Sequence, residues 1–338
     1  MPWKLRFGNT LISYNMMYID INTNFKTIEG FLLEIGFLNN QEEILAIEKP
    51  GEGNMNVVLR IKTNERSFIL KQSRPFVQKY QDIPAPENRI DVEYQFYKAI
   101  ENSAITSHVP KILAYDAKNY VLILEDLGNC HDMSSIYKTR TIDNLTITTL
   151  VTIISNIHKS SVATNYPENK ELRALNHQHV FVLPFVSDNG FSLDTIQNGL
   201  QTLSQSYKND TALKKQITLV GERYLSEGTV LLHGDYYPGS WMTLKDDFYV
   251  IDPEFSFKGF PEFDLGVMAA HIFMATNNKL MISKIKKEYQ LALDERLFLQ
   301  ITGIEIMRRL IGLAQLPLER TLNEKQEMLK IAKSLIMD

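Results

Sequence analysis

Apolar positions recur three and four apart at Phe25, Ile28, Phe31, Leu32 and Ile35. That spacing predicts an amphipathic helix over about 25–38, ended by Gly36 and Asn39-Asn40. The period then shortens to two. Ile44 to Glu48, Val57 to Lys62 and Ser67 to Gln72 read as strands, separated by Gly51-Glu52-Gly53-Asn54-Met55-Asn56 and by Thr63-Asn64-Glu65-Arg66. Turns this short join antiparallel neighbours. Pro75 to Pro86 carries three prolines and is expected to be loop. Asn88 to Asn102 has helical spacing, and Tyr120 to Glu125 is expected to be a buried strand. Beyond Asp143 helical periods dominate, over about 143–159, 192–207, 210–226, 262–277, 279–289, 293–313 and 321–336. Val180 to Leu183 and a hairpin around Lys245-Asp246-Asp247 interrupt them.

This order implies an α+β chain of two lobes. A small lobe with an antiparallel sheet occupies 1–127, and a larger, mainly helical lobe occupies 128–338, with the change at Leu127-Gly128. Residues 1–20 stand as a candidate extension, with Met16 or Met17 a candidate start. The 338 residues are 44% hydrophobic and 22% charged, a globular balance that can bury a large core. A net charge of -4 with no basic stripe argues against a nucleic-acid partner. No apolar run approaches the roughly 20 residues that cross a bilayer, and polar Asn9, Thr10, Ser13 and Asn15 occupy the place of a secretion signal's apolar centre. The single Cys130 excludes an internal disulfide and suits a reducing, cytoplasmic setting.

Candidate chemistry gathers in two segments, Val230-Leu-Leu-His233-Gly-Asp235 and Tyr249-Val-Ile-Asp252-Pro-Glu254-Phe. Each places a carboxylate at the end of a short apolar run. Phosphoryl transfer needs such a division, one carboxylate orienting the attacking hydroxyl and another group holding the Mg²⁺ that neutralises a triphosphate. Asp235 is the candidate for the first role, and Asp252 with Glu254 for the second. Ser240 is a candidate to hold the metal site or a phosphate, and His233 is expected to hydrogen-bond its own loop. Gly51 and Gly53, with Asn54, would let backbone N–H groups approach a phosphate, a plain hairpin turn being the alternative. Glu93 lies in an apolar stripe with Ile90, Tyr97 and Ile100. A carboxylate there needs a partner, and Lys71 at a strand end is the candidate. An exposed Glu93, or pairing through Glu87 or Glu101, is the alternative. Glu125 and Leu127, after the buried strand, would offer backbone groups to an adenine edge. Arg308-Arg309 sits in an apolar helix, where a guanidinium fork suits phosphate or sugar hydroxyls; a surface salt bridge to Glu305 or Glu319 is the alternative.

Together Gly51-x-Gly53-Asn54, Leu70-Lys71-Gln72, Ile157-His158, His233-Gly-Asp235 and Ile251-Asp252-Pro-Glu254-Phe resemble the aminoglycoside phosphotransferase-like, or choline-kinase-like, superfamily. Within it the chain is most similar to 5-methylthioribose kinases, through Leu124-Glu-Asp-Leu127, Gly239-Ser240, Phe263-Asp264-Leu-Gly266 and Met307-Arg308-Arg309-Leu-Ile-Gly312. The resemblance spans roughly residues 28–315. It implies a protein-kinase-like two-lobe fold, ATP with Mg²⁺, a small-molecule hydroxyl acceptor, and a homodimer. It also implies methylthioribose as first-choice acceptor, in methionine salvage, with Arg308 and Arg309 near the transferred group and the sugar. Two departures bear on the acceptor. The family loop reads His-Gly-Asp-Leu-His-Thr-Gly-Ser, but here Tyr236, Tyr237 and Pro238 fill its middle, which puts Tyr237 on the substrate side. The loop after Lys71 usually carries a Trp, absent from Gln81-Asp82-Ile83-Pro84. Another sugar or an amino-alcohol therefore stays open, although an arginine pair disfavours cationic acceptors. A catalytically silent ATP-binding regulator is expected to lack Lys71, Asp235 or Asp252; all three are present. A protein kinase needs a longer segment than lies between Phe255 and Phe263.

Overall fold

The computed structural model describes residues 16–51, 55–101, 103–245 and 247–338. Asn24 accepts the Lys26 N–H and opens helix α1 (Phe25–Glu34), and Gly36 at φ +72° turns the chain after it. Strands β1 (Ile44–Glu48), β2 (Val57–Thr63) and β3 (Ser67–Gln72) follow, then a hairpin of β4 (Phe76–Val77) and β5 (Tyr80–Pro84), helix α2 (Arg89–Ile100), and strands β6 (Ile112–Asp116) and β7 (Val121–Glu125). They form an antiparallel sheet in the order β1-β2-β3-β7-β6, with β4-β5 separate. Strict alternation in β2 buries Val57, Leu59 and Ile61 against Ile28, Phe31 and Leu32 of α1. On the other face Leu122 and Leu124 of β7 join Ile90, Phe96 and Tyr97 of α2. Lys71 stands opposite Leu122 in the register and so shares this second face.

The remainder is mostly helical. It comprises β8 (His131–Asp132), α3 (Ile136–Thr139), α4 (Asn144–Lys159), α5 (Lys170–His177), α6 (Leu200–Lys208), α7 (Thr211–Leu225), β9 (Val230–Leu231), β10 (Trp241–Leu244) and β11 (Asp247–Val250). Then come β12 (Lys258–Gly259), α8 (Pro261–Thr276), α9 (Leu280–Glu288), α10 (Glu295–Ile311) and α11 (Leu322–Met337). Helix α8 is buried on nearly every side because it is the central helix, with α10 packed on it and α11 on α10. Two small sheets, β11-β10-β8 and β12-β9, hold the loops after β9 and β11. The chain is therefore α+β, an N-terminal antiparallel sheet followed by a mostly helical part. No described helix is long and apolar enough to cross a membrane.

Three local expectations fail. Pro75 to Pro86 is not all loop, since Val77 pairs with Tyr80 and Phe76 with Pro84. Its prolines lie at the ends of this short ladder, where a missing N–H does little harm. Val180 to Leu183 does not interrupt the helical run. It lies in a π-helical turn, Gln178–Val182, and the 3₁₀ turn Leu183–Phe185 that continue α5. Its β-branched and aromatic residues are instead buried among helices. The helix expected over 192–207 is a 3₁₀ turn, Leu193–Thr195, followed by α6, because Gly199 at φ +83° breaks the run. Strands β6, β8 and β12 and helices α3 and α5 had no clear periodic signal.

Candidate active site

Lys71 is the centre of the first cluster. Its Nζ donates to Glu93 Oε1 at 2.6 Å and Oε2 at 2.7 Å, and to Asp252 Oδ1 at 2.5 Å. The lysine and glutamate side chains are 4% and 0% exposed, whereas that of Asp252 is 44% exposed. Burial opposes charge on Lys71, but the carboxylates of Asp252 and Glu93 outweigh it and hold the ammonium above its usual range. Burial pushes the Glu93 carboxyl up, against the pull of Lys71. Asp252 takes a left-handed backbone, φ +63°, which aspartate tolerates better than most residues.

The loop carrying Asp235 is fixed from below. Asp264, near the start of α8, accepts the N–H groups of His233 (2.7 Å) and Gly234 (2.9 Å) and faces His158 Nε2 at 3.2 Å. The Asp235 N–H donates to His233 Nδ1 at 3.3 Å, so Nε2 carries the proton and donates to Ile251 O at 3.0 Å. Ser240 donates its hydroxyl to Asp235 O at 2.9 Å and accepts the Ile251 N–H at 3.0 Å. His233 and Ser240 thus bracket the residue before Asp252 and tie the two acidic segments together. Gly234 sits at φ +84°, and a Cβ there would fall 2.2 Å from Phe255 O. Burial raises the Asp235 carboxyl to about 6, against the attraction of Arg309 and Arg308.

Glu254 lies deeper than Asp252. It accepts Asn56 Nδ2 at 2.9 Å, with Arg89 Nε at 3.4 Å. Burial pushes its carboxyl up to about 8 despite Arg89 and Lys71. The donor chemistry fits Mg²⁺, which takes hard oxygen ligands from one or two carboxylates and completes its shell with water and phosphate oxygens. Among the described residues no group of three or more His, Cys, Asp or Glu could hold a metal ion.

A third cluster lies on α10. Arg308 Nη1 donates to both Glu305 oxygens (3.0 and 2.8 Å), Arg309 Nε to Oε1 (2.7 Å), and His271 Nε2 meets the same Oε1 at 3.0 Å. Glu305 is buried, so the pairing left open in the sequence is internal rather than on the surface. Burial resists its charge, but the two guanidiniums hold the carboxyl well below its usual range. Burial keeps His271 neutral, with a pKa of about 4, and its Nδ1 accepts from Tyr137 Oη at 2.5 Å. The Arg309 guanidinium lies over the Tyr237 ring at 5.4 Å. Both arginines and Tyr237 line a cavity of about 590 Å³ whose other wall includes Val77, Tyr80 and Ile83 of the β4–β5 hairpin.

The structure thus brings Lys71, Glu93 and Asp252 into one hydrogen-bonded network, with Glu254 near enough for its charge to act on Lys71, and places Arg308, Arg309 and Tyr237 on one cavity. Ser240 is buried in its loop and does not line that cavity. The Glu125 N–H donates to Lys111 O at 2.9 Å, and Leu127 O accepts Cys130 Sγ at 3.1 Å. Gly51 lies in a bend, while Gly53 and Asn54 lie outside the described residues. Sequence reasoning missed His271 and Tyr137, and it gave no role to Asn56, Arg89 or Asp264. Only Arg89 had a usable signal, four residues before Glu93 and therefore on the same helix face.

A profile of the phosphotransferase enzyme family matches residues 46–298. The chain is 26% identical to the methylthioribose kinase of Exiguobacterium sibiricum, over 71% of this chain and 64% of that protein, less than two thirds of its length. It is 23% identical to the methylthioribose kinase of Bacillus cereus strain ATCC 10987, over 90% of this chain and 89% of that one. Among solved structures, LicA in complex with AMP superposes with a TM-score of 0.52 at 14% identity, over 92% of this chain and 98% of that one. A choline/ethanolamine kinase family protein from Mesorhizobium loti gives 0.51 at 16%, over 87% and 88%. At such identities these structures show the fold alone.

Proposed function

We propose that this chain, which belongs to the phosphotransferase enzyme family, moves the γ-phosphoryl group of ATP to a hydroxyl of a small molecule. The carrying observation is the single network in which Lys71 bonds both Glu93 and Asp252 while the Asp235 loop is bound to the segment before Asp252. Lys71, held by Glu93, would meet the nucleotide phosphates. Asp252 and Glu254 would hold Mg²⁺, which when bound neutralises phosphate charge. Asp235 would accept the hydrogen bond of the acceptor hydroxyl and orient its oxygen. As the acceptor oxygen bonds to phosphorus and the bond to ADP breaks, the hydroxyl proton passes to Asp235. A carboxyl with a pKa of about 6 is ionised at pH 7.5 yet basic enough to take that proton late. Catalysis comes mainly from positioning and charge stabilisation.

The first-choice acceptor is methylthioribose, in methionine salvage. Two arginines set against one glutamate leave positive charge on the cavity wall, which supports a sugar over a cationic amine. Phe191, Phe255, Val77 and Ile83 line the same cavity and suit an uncharged apolar substituent. The reading carries with it a lobe boundary near Leu127-Gly128, a homodimer and a cytoplasmic location. Its test is phosphate transfer from ATP to a panel of sugars and amino-alcohols. Methylthioribose is expected to turn over best, and good turnover elsewhere without it would overturn the acceptor. No transfer to any hydroxyl would overturn the activity.

A further inference from the structure

Arg89 is fully buried at the start of α2, and hydrogen-bonding acceptors meet every edge of its guanidinium. Nε donates to Asn56 Oδ1 at 2.8 Å and lies 3.4 Å from Glu254 Oε2. Nη1 donates to Arg74 O and Pro86 O, both at 2.7 Å, and Nη2 to Met55 O at 2.7 Å and Phe76 O at 3.4 Å. A guanidinium has five N–H donors in a rigid fork, and here all of them have acceptors; a lysine has three donors on a single nitrogen.

These acceptors belong to three separate pieces of the molecule. Arg74, Phe76 and Pro86 begin and end the hairpin that walls the cavity. Met55 and Asn56 lead into β2, and Glu254 belongs to the segment after β11. An ion pair alone would need one carboxylate. Four backbone carbonyls are there because the group sets relative position. Asn56 completes the link, taking Arg89 Nε on its oxygen and donating its amide to Glu254.

We infer that Arg89 is a positioning residue that couples the β4–β5 hairpin to the Glu254 carboxylate through Asn56, so that the acceptor wall and the metal-side segment hold one relative geometry. The roles of those two sides rest on the function proposed above, but the coupling itself is testable without turnover. Amide hydrogen exchange of residues 76–84 is measured in the whole chain for the parent, Arg89→Lys and Asn56→Ala. Asn56 Oδ1 and Nδ2 bond only Arg89 and Glu254 among the described residues. Both variants are expected to speed hairpin exchange by about tenfold or more, the loss of a charge-assisted hydrogen bond, with α10 amides unchanged. The KM for the acceptor should rise in parallel, with methylguanidinium partly restoring an Arg89→Ala variant. Hairpin exchange that Asn56→Ala leaves unaltered, or that rises equally along the whole chain, would overturn the coupling. If Arg89→Lys does not fold, Asn56→Ala still decides. A parent that phosphorylates nothing would remove the proposed activity and leave the exchange result to stand or fall separately.

Discussion

Asp235→Asn replaces a carboxylate with an amide of the same shape and separates stability from chemistry. In the folded chain burial raises the carboxyl from 3.8 to about 6. The native state therefore keeps its proton at pH values where the unfolded chain has released it. Stability from this group is complete below about pH 4 and falls as pH climbs to about 6, staying low above it. The difference between 3.8 and about 6 is worth at most ~3 kcal/mol. The side chain is only half-buried, and solvent screening reduces that to about 1–2 kcal/mol. The asparagine variant stays uncharged and escapes the loss. It is expected to match the parent near pH 3 and to exceed it by about 1–2 kcal/mol at pH 8. Phosphate transfer should fall by about 10²–10⁴ at the same time. Urea midpoints at the two pH values, with ADP release followed in parallel, measure both. A variant less stable than the parent at pH 8, or one with unaltered turnover, refutes the placement of an ionised, strained carboxylate at the nucleophile.

Lys71→Met should lose about 3–5 kcal/mol in a denaturant titration, because it leaves Glu93 buried without its cation. Adding Glu93→Leu should restore much of that stability without restoring transfer; no recovery would mean that the pair does not dominate the site's energetics. Gly234→Ala meets both a left-handed φ and a carbonyl 2.2 Å from the new Cβ. A loss of at least ~2 kcal/mol is expected in thermal unfolding, and an unchanged midpoint would show that the loop relaxes freely.

The strands from Val57 to Gln72 were legible because alternation is a local property: each side chain's face follows from its neighbours two positions away. Glu93 was legible for a related reason, since a carboxylate inside an apolar helical stripe demands a partner and Lys71 was the cation on the facing strand. The same stripe held Arg89, whose significance was invisible because its acceptors are mostly backbone carbonyls, and these carry no residue identity. The β4–β5 hairpin was obscured by prolines at its ends. The π-helical turn was obscured by residues with strand propensity that pack among helices instead.

Periodicity and the acidic segments therefore determined the α+β order of elements and pointed to the carboxylates of the proposed site. Tertiary structure alone decided that Glu305 faces inward to hold both arginines and His271, that Asp264 secures the loop before Asp235, and that Asn56 meets Glu254 across 198 positions of chain. Periodicity reports which side of an element is buried. It carries no information about which distant polar group closes a hydrogen bond there, and that is settled only when the folded chain excludes water from both partners.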